Sequence, residues 1–329
     1  MAFDLTGMTN HVTDEAADLR SIAIYSPVTV PLVTVVEGIK YSERLTYFDV
    51  DPYFQADSSC ATVNPSGDSG NFDQITLTVD SMKVELDWCF KDLDSKSLRR
   101  YLKAGAKLDE NSAPELVSTI MARTAEQIAR ELESAFWQSS KTQGAGTRNL
   151  KHFNGFIQTI ETLGGYVNSN ATLAATSITT ANVISIFHNQ WTAVPAAMKR
   201  KEDLVTVCGD DTFDKLIIAI YNANNFHYSA STSDIQNRRI TLPGTNMVVQ
   251  AVPGLNSDND ELSGMPALFK NRIFTFYKSN LIIATDQITD ANDWMAWYEK
   301  KDDKLYARVR MKFTTGVFFP QHVVSFKTA

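Results

Sequence analysis

Cations are in short supply. The 329 residues hold 31 lysines and arginines against 38 aspartates and glutamates, a formal net charge of −7. A dedicated nucleic-acid binder needs clustered cations to displace counterions from phosphates, and this balance argues against one. The longest basic run, Lys199-Arg200-Lys201, is followed at once by Glu202 and Asp203 and reads as a solvated face. Cysteine is scarce too. Cys60, Cys89 and Cys208 form no CxxC pair and are odd in number, which argues against a zinc site or a disulfide framework and suits a reducing cytoplasm. No apolar run approaches the roughly 18 residues of a membrane helix. The first twenty residues lack the basic-then-apolar order of a secretory signal, so the Asn170-Ala171-Thr172 sequon reads as idle.

The usual catalytic kits are missing as well. The histidines at 11, 152, 188, 227 and 322 make no i,i+4 metal pair, and no HExxH, GxSxG, Walker or GxGxxG pattern occurs. Gly144-Ala145-Gly146 follows a helix rather than a strand, the context of a C-terminal cap. Asp210, Asp211 and Asp214 could suggest magnesium, but acids in a first helical turn complement the macrodipole, and that reading is preferred. Asn256–Glu261 begins like a calcium loop yet has Glu261 where the turn glycine belongs. Cys208 reads as a buried structural thiol. Trp294, Trp297 and Tyr298 could stack on a sugar, but as strand residues at a core or inter-subunit contact they need no ligand. The sequence therefore assigns no catalytic, cofactor-binding or metal-binding residue.

Hydrophobic residues make up 43% of the chain, enough for a sizeable core. Residues 1–38 read as an arm whose apolar run is interrupted by Pro31. Arg44–Val50 suits a strand. Next comes a stretch, Tyr53–Asp73, with no lysine, arginine or glutamate. The chain returns through Ile75, Leu77 and Val79, then Met82, Val84, Leu86 and Trp88. The apolar phase slips from odd to even, which predicts one long return strand with a bulge or strong twist at the slip. Such a hairpin is too long to pack on its own core and should project.

Ser112–Ser139 predicts a long helix. Ser112 fits the N-cap, Pro114 the first turn and Glu115 a capping box. Leu116, Ile120, Thr124, Ile128, Leu132 and Phe136 recur every four residues as a stripe, and Glu126 and Arg130 are spaced for an i,i+4 pair. Shorter helices are expected within Phe153–Leu163, Ala181–Trp191 and Asp211–Tyr221. Strands are expected at Leu204–Cys208, Met247–Val252, Ile273–Phe276, Leu281–Ala284, Met295–Glu299, Leu305–Phe313 and Val317–Phe319. Asn222–Asn237 forms a second polar loop. The mixture is α+β rather than alternating βαβ.

This order resembles the major capsid proteins of tailed bacteriophages, the HK97-like fold also used by encapsulins and the herpesvirus shell floor. Local patterns carry the resemblance: the helix Ser112–Ser139, then Asn154-Gly155-Phe156-Ile157, then Thr179–Val183 with Trp191 and Pro195, then Asn280-Leu281 with Thr285-Asp286, and last Arg308–Lys312 with Gly316-Val317. The resemblance implies an N-terminal arm (1–38), an extended-loop hairpin (39–90), a peripheral domain with the spine helix (91–174, helix 112–139), an axial domain (175–270) and returning peripheral strands (271–329). It implies self-assembly into hexamers and pentamers around packaged double-stranded DNA, with a scaffolding protein, a portal and decoration proteins as partners. No membrane and no cofactor are involved; assembly would take place in the bacterial cytoplasm and the product would be a virion.

The arm would then clasp a neighbouring copy through Tyr53, Phe54, Asp57, Asn64, Asp68, Asn71 and Phe72. Asn225, His227 and Tyr228 would face the symmetry axes, and Arg123, Glu126 and Arg130 would meet other subunits. The sequence departs from crosslinking members of the family, since no lysine lies between Lys40 and Lys83. An encapsulin-type cellular shell is the nearest alternative. A monomeric hydrolase built on Asp210, Asp211, Asp214 and the Trp294–Tyr298 aromatics is the alternative from another class, and a tail-tube component a third.

Overall fold

A computed structural model describes residues 23, 27–49, 54, 71–89, 113–142, 150–223, 237–257, 269–286, 294–299, 301–302 and 304–328. A short 3-10 turn, Val30–Leu32, with Pro31 in its first turn, leads into β1 (Thr34–Val36). β2 (Ser42–Asp49) and β3 (Asn71–Thr78) pair antiparallel as a two-stranded hairpin. After Val79 the chain enters β4 (Asp80–Cys89), then α1 (Ala113–Gln138), α2 (Phe156–Leu163), β5 (Val167–Asn168), α3 (Val183–Ala193), β6 (Leu204–Cys208) and α4 (Asp210–Ala223). The strands β7 (Arg239–Thr241), β8 (Val248–Ala251), β9 (Ile273–Tyr277), β10 (Leu281–Thr285), β11 (Trp294–Glu299), β12 (Lys304–Val317) and β13 (Val324–Phe326) follow.

Two larger sheets organise these elements. One contains β1, β10, β12 and β11 in that order, with β4 along the other edge of β12; the second runs β5-β13-β9-β6-β8-β7. β6, β9 and β10 are buried at every position, as strands covered on both faces must be. β4 instead alternates, turning Met82, Val84, Leu86 and Trp88 toward the main core and Lys83, Glu85 and Asp87 toward solvent.

α1, at about 1.5 Å per residue, is a rod of roughly 39 Å. Its C-terminal end lies where the two sheets meet. Trp137 is fully buried, stacks on Phe274 of β9 with centroids 5.5 Å apart, and touches Phe156 of α2 at 5.1 Å. Phe136 meets Phe313 of β12 edge-on at 5.4 Å. A second cluster joins α3 and α4 to the other sheet through Phe187, Phe213, Leu216 and Val249.

Several sequence expectations need correction. The return strand is two strands, not one. β3 pairs with β2 and β4 with β12, and the odd-to-even slip marks the point, Val79, where the chain leaves one sheet for another. Leu305–Phe313 and Val317–Phe319 were expected as separate strands; β12 runs unbroken to Val317 because β10 pairs with it from Phe313 through Val317, taking over where β4 ends, with Gly316 accommodated inside it. β5, β7 and β13 are too short to show a period and have no counterpart among the expected strands. The buried row on α1 is Met121, Ala125, Ile128, Leu132, Ala135 and Phe136, whereas Ile120 and Thr124 are only half-buried. A strict four-residue repeat advances about 40° per step and drifts off a face that a 3.6-residue period keeps. Glu126 pairs with Arg123 at 3.6 Å rather than with Arg130.

Candidate subunit-contact surfaces

The described part of the hairpin packs on the body through one face. Leu45, Ile75 and Leu77 join a small core with Ile39, Val79, Ile282 and Ala284. A Cβ on Gly316 would lie 2.5 Å from Leu77 Cδ2, so glycine lets the hairpin cross closely over β12. Tyr47 sets its ring edge-on against Phe318 and Phe319, at 5.7 and 4.9 Å. Arg44, Thr46, Phe48, Gln74, Thr76 and Thr78 on the opposite face are exposed, Phe48 by 51%. These six residues share the exposed face of the two-stranded sheet.

Among the residues expected to clasp a neighbour, Phe54 is fully exposed, and Asn71 and Phe72 open β3 opposite Asp49 and Phe48. Tyr53, Asp57, Asn64, Asp68, Asn225, His227 and Tyr228 lie outside the described residues. On the spine, Arg123 and Glu126 are 79% and 59% exposed at their side chains, and Arg130 is exposed beside them. Phe54 and these three spine residues are thus solvent-exposed.

The acidic residues weighed as a metal site are engaged otherwise. Arg238 donates from Nε to Asp210 Oδ1 at 2.5 Å and from Nη2 to Asp214 Oδ1 at 3.0 Å. Against partial burial, those two carboxylates hold the Arg238 guanidinium charge above its ordinary range. Asp211 Oδ2 accepts from Ser257 Oγ at 2.5 Å. Burial, with Asp211 and Asp210 nearby, pushes the Cys208 thiol well up, which keeps it protonated and a poor nucleophile. Among the described residues no three His, Cys, Asp or Glu side chains converge to hold a metal ion, and no helix is long and apolar enough to cross a membrane. Trp297 stacks on Tyr306 at 5.7 Å with Arg308 over its ring, while the neighbouring Ala296 enters the main core. Trp297 is thus engaged within the sheet.

Sequence reasoning missed a buried polar junction. Glu133, 4% exposed, accepts from Thr29 N at 3.0 Å and Thr29 Oγ1 at 2.6 Å, and from the backbone of Gly254 and Val28. Trp137 Nε1 donates to the same Thr29 Oγ1 at 2.6 Å. A signal was available, since Glu133 has Ala129, Leu132, Phe136 and Trp137 as its helical neighbours, surroundings unusual for a solvated acid.

No protein-family profile matches the chain, and no curated protein matches it in sequence. Solved structures do. The cyanophage A-1(L) capsid aligns with a TM-score of 0.59 and 11% identity over 91% of this chain and 92% of that one. The satellite phage P4 procapsid, which includes a size-determination protein, gives 0.58 and 13% over 94% and 90%. A virus-like particle from Pyrococcus furiosus gives 0.50 and 10% over 98% of both chains. The chain therefore has the α+β fold of tailed-phage capsid proteins along nearly its whole length.

Proposed function

We propose that this chain is the major capsid protein of a tailed double-stranded DNA bacteriophage, forming the hexamers and pentamers of an icosahedral shell. The observation that carries the reading is a two-stranded hairpin packed on the body through one face and solvent-exposed on the other, within a fold shared along nearly the whole chain with capsid chains. A monomer gains nothing from such an element, whereas a second copy could cover it. In this reading the arm, the extended-loop hairpin and the peripheral and axial domains follow the divisions at 38, 90, 174 and 270. Residues 53–73 clasp a neighbour, Asn225, His227 and Tyr228 face the axes, and the Arg123–Arg130 face meets adjoining subunits. Scaffolding, portal and decoration proteins would be separate chains, the DNA would be held without sequence readout, and no catalysis is assigned. Assembly would be cytoplasmic and the final location the virion.

Electron microscopy of the expressed protein, alone and with its scaffold, tests the proposal. Closed shells or capsomer rings are expected, and deleting residues 57–71 should abolish closure while the subunit stays folded. A monomer indifferent to both scaffold and deletion would overturn it. The likeness to the Pyrococcus furiosus particle favours a second reading, an encapsulin-type cellular shell. The content of purified particles decides between them: packaged DNA for the phage shell, a cargo protein for the alternative.

A further inference from the structure

Residues Pro27–Val36 lie across α1 as a strap. Thr29 is fully buried and Val30 and Val33 enter the main core. Downstream, β1 joins β10 through only three parallel pairs at the sheet edge. Two side chains of α1 fasten the strap at Thr29: Glu133, which accepts from it, and Trp137, whose Nε1 donates to Thr29 Oγ1. Glu133 accepts two hydrogen bonds from the strap, from Thr29 N and Thr29 Oγ1, and the backbones of Val28 and Gly254 lie beside its carboxylate. We propose that Glu133 is a proton-operated fastener, holding the strap against α1 more tightly when its carboxyl is protonated than when it is ionised.

The groups around the carboxylate, the Thr29 amide and hydroxyl and the backbones of Val28 and Gly254, are all neutral dipoles. Neither the turn Val30–Leu32 nor the turn Pro253–Leu255 carries a charged residue. Among the described residues two ion pairs lie on neighbouring elements: Arg238 with Asp210, linked to α1 through Asn256 and Gln138, and Arg272 with Glu161, separated from α1 by the rings of Phe274 and Trp137. Among the described residues no cation pairs with Glu133, and an ionised carboxylate so placed prefers water to a dry site, even a hydrogen-bonded one. Lifting the strap admits that water and removes both Thr29 donors at once, so ionisation favours the lifted strap and protonation the docked one. Burial correspondingly raises the Glu133 carboxyl above its ordinary range, with the bonds from Thr29 opposing it. When Glu133 takes up a proton, the 2.6 Å contact between Oε1 and Thr29 Oγ1 is kept without moving heavy atoms, the carboxyl now donating and the Thr29 hydroxyl turning its own hydrogen away.

Hydrogen exchange on the full-length chain, corrected for intrinsic rates, tests this without reference to assembly. Amides of the Thr29–Val33 segment should be about fivefold or more better protected near pH 5 than near pH 8. In Glu133→Gln the protection should be independent of pH and equal to that of the wild type in acid, because the amide mimics the protonated carboxyl. Amides of α2 serve as the control and should match in both proteins. Strap protection that is flat in the wild type, or equally pH-dependent in E133Q, would overturn the proposal. If E133Q fails to fold, Thr29→Val supplies the test: loss of strap protection at every pH supports the fastener, and unchanged protection overturns it.

Discussion

At the scale of single residues, two carboxylates respond to pH in opposite senses. Glu161 accepts from the fully buried Arg272 at 2.7 Å and from Tyr166 at 2.8 Å, with Lys327 3.6 Å away. Burial would raise its carboxyl, but Arg272 and these partners outweigh that and hold it below the ordinary range. A depressed carboxyl contributes stability that is present above its unfolded value and lost as pH falls through its folded value. Arg272→Met should therefore cost about 2 kcal/mol at neutral pH, with the difference from wild type shrinking in denaturant melts below the ordinary carboxylate range. Glu133, raised instead, loses its contribution as pH climbs. Gly254 is a third sensitive position. A Cβ there would overlap the Glu133 carbonyl oxygen and lie 2.7 Å from Trp137 Cδ1. Gly254→Ala should destabilise by about 2–3 kcal/mol, read as a lowered Tm. None of this was legible in the sequence as a contact, because Thr29 and Glu133 are 104 positions apart. Only the apolar helical neighbours of Glu133 hinted that it was buried.

At the scale of elements, the long and periodic segments were readable. α1 begins and ends within a residue or so of its cap and its polar terminus, because a sustained amphipathic stripe and a proline in the first turn are local signals. The phase slip between Val79 and Met82 was readable as an irregularity. Its meaning, a change of sheet, depends on β12, more than 200 residues onward. The two-residue β5 and three-residue β13 owe their existence to neighbours in the sheet rather than to their own composition. The hairpin's anchorage makes a prediction at this scale. Tyr47→Ala removes both ring contacts at the stem and should release about 1–2 kcal/mol of local stabilisation. Amide protection across β2 and β3 should fall while that of β12 holds.

For the whole molecule, what matters is the contrast between surfaces that hold the subunit together and surfaces that do not. The Arg123–Glu126 pair is highly exposed, and such pairs contribute little to a monomer's stability. Reversing both charges, Arg123→Glu with Glu126→Arg, should leave Tm within about 2 °C. If this face meets other subunits, the same double variant should assemble poorly, scored as closed particles per field in micrographs of matched samples. Unchanged assembly would remove the spine's polar face from the list of contacts. The overall fold class was legible because order and length of elements survive where individual motifs are weak. The identity of each contacting residue was not, since a partner copy leaves no period in the sequence.

The continuity of β3 into β4 through Val79 has a mechanical side. A pull on the hairpin tip travels along the strand axis into β4, and from there into its ten-residue register with β12, Asp80↔Phe313 through Cys89↔Lys304. Loaded lengthwise, that ladder is sheared, so its hydrogen bonds resist together rather than parting one after another. Tension arriving at the tip is thus delivered to the longest strand of the body, which passes it on to β10 and β11.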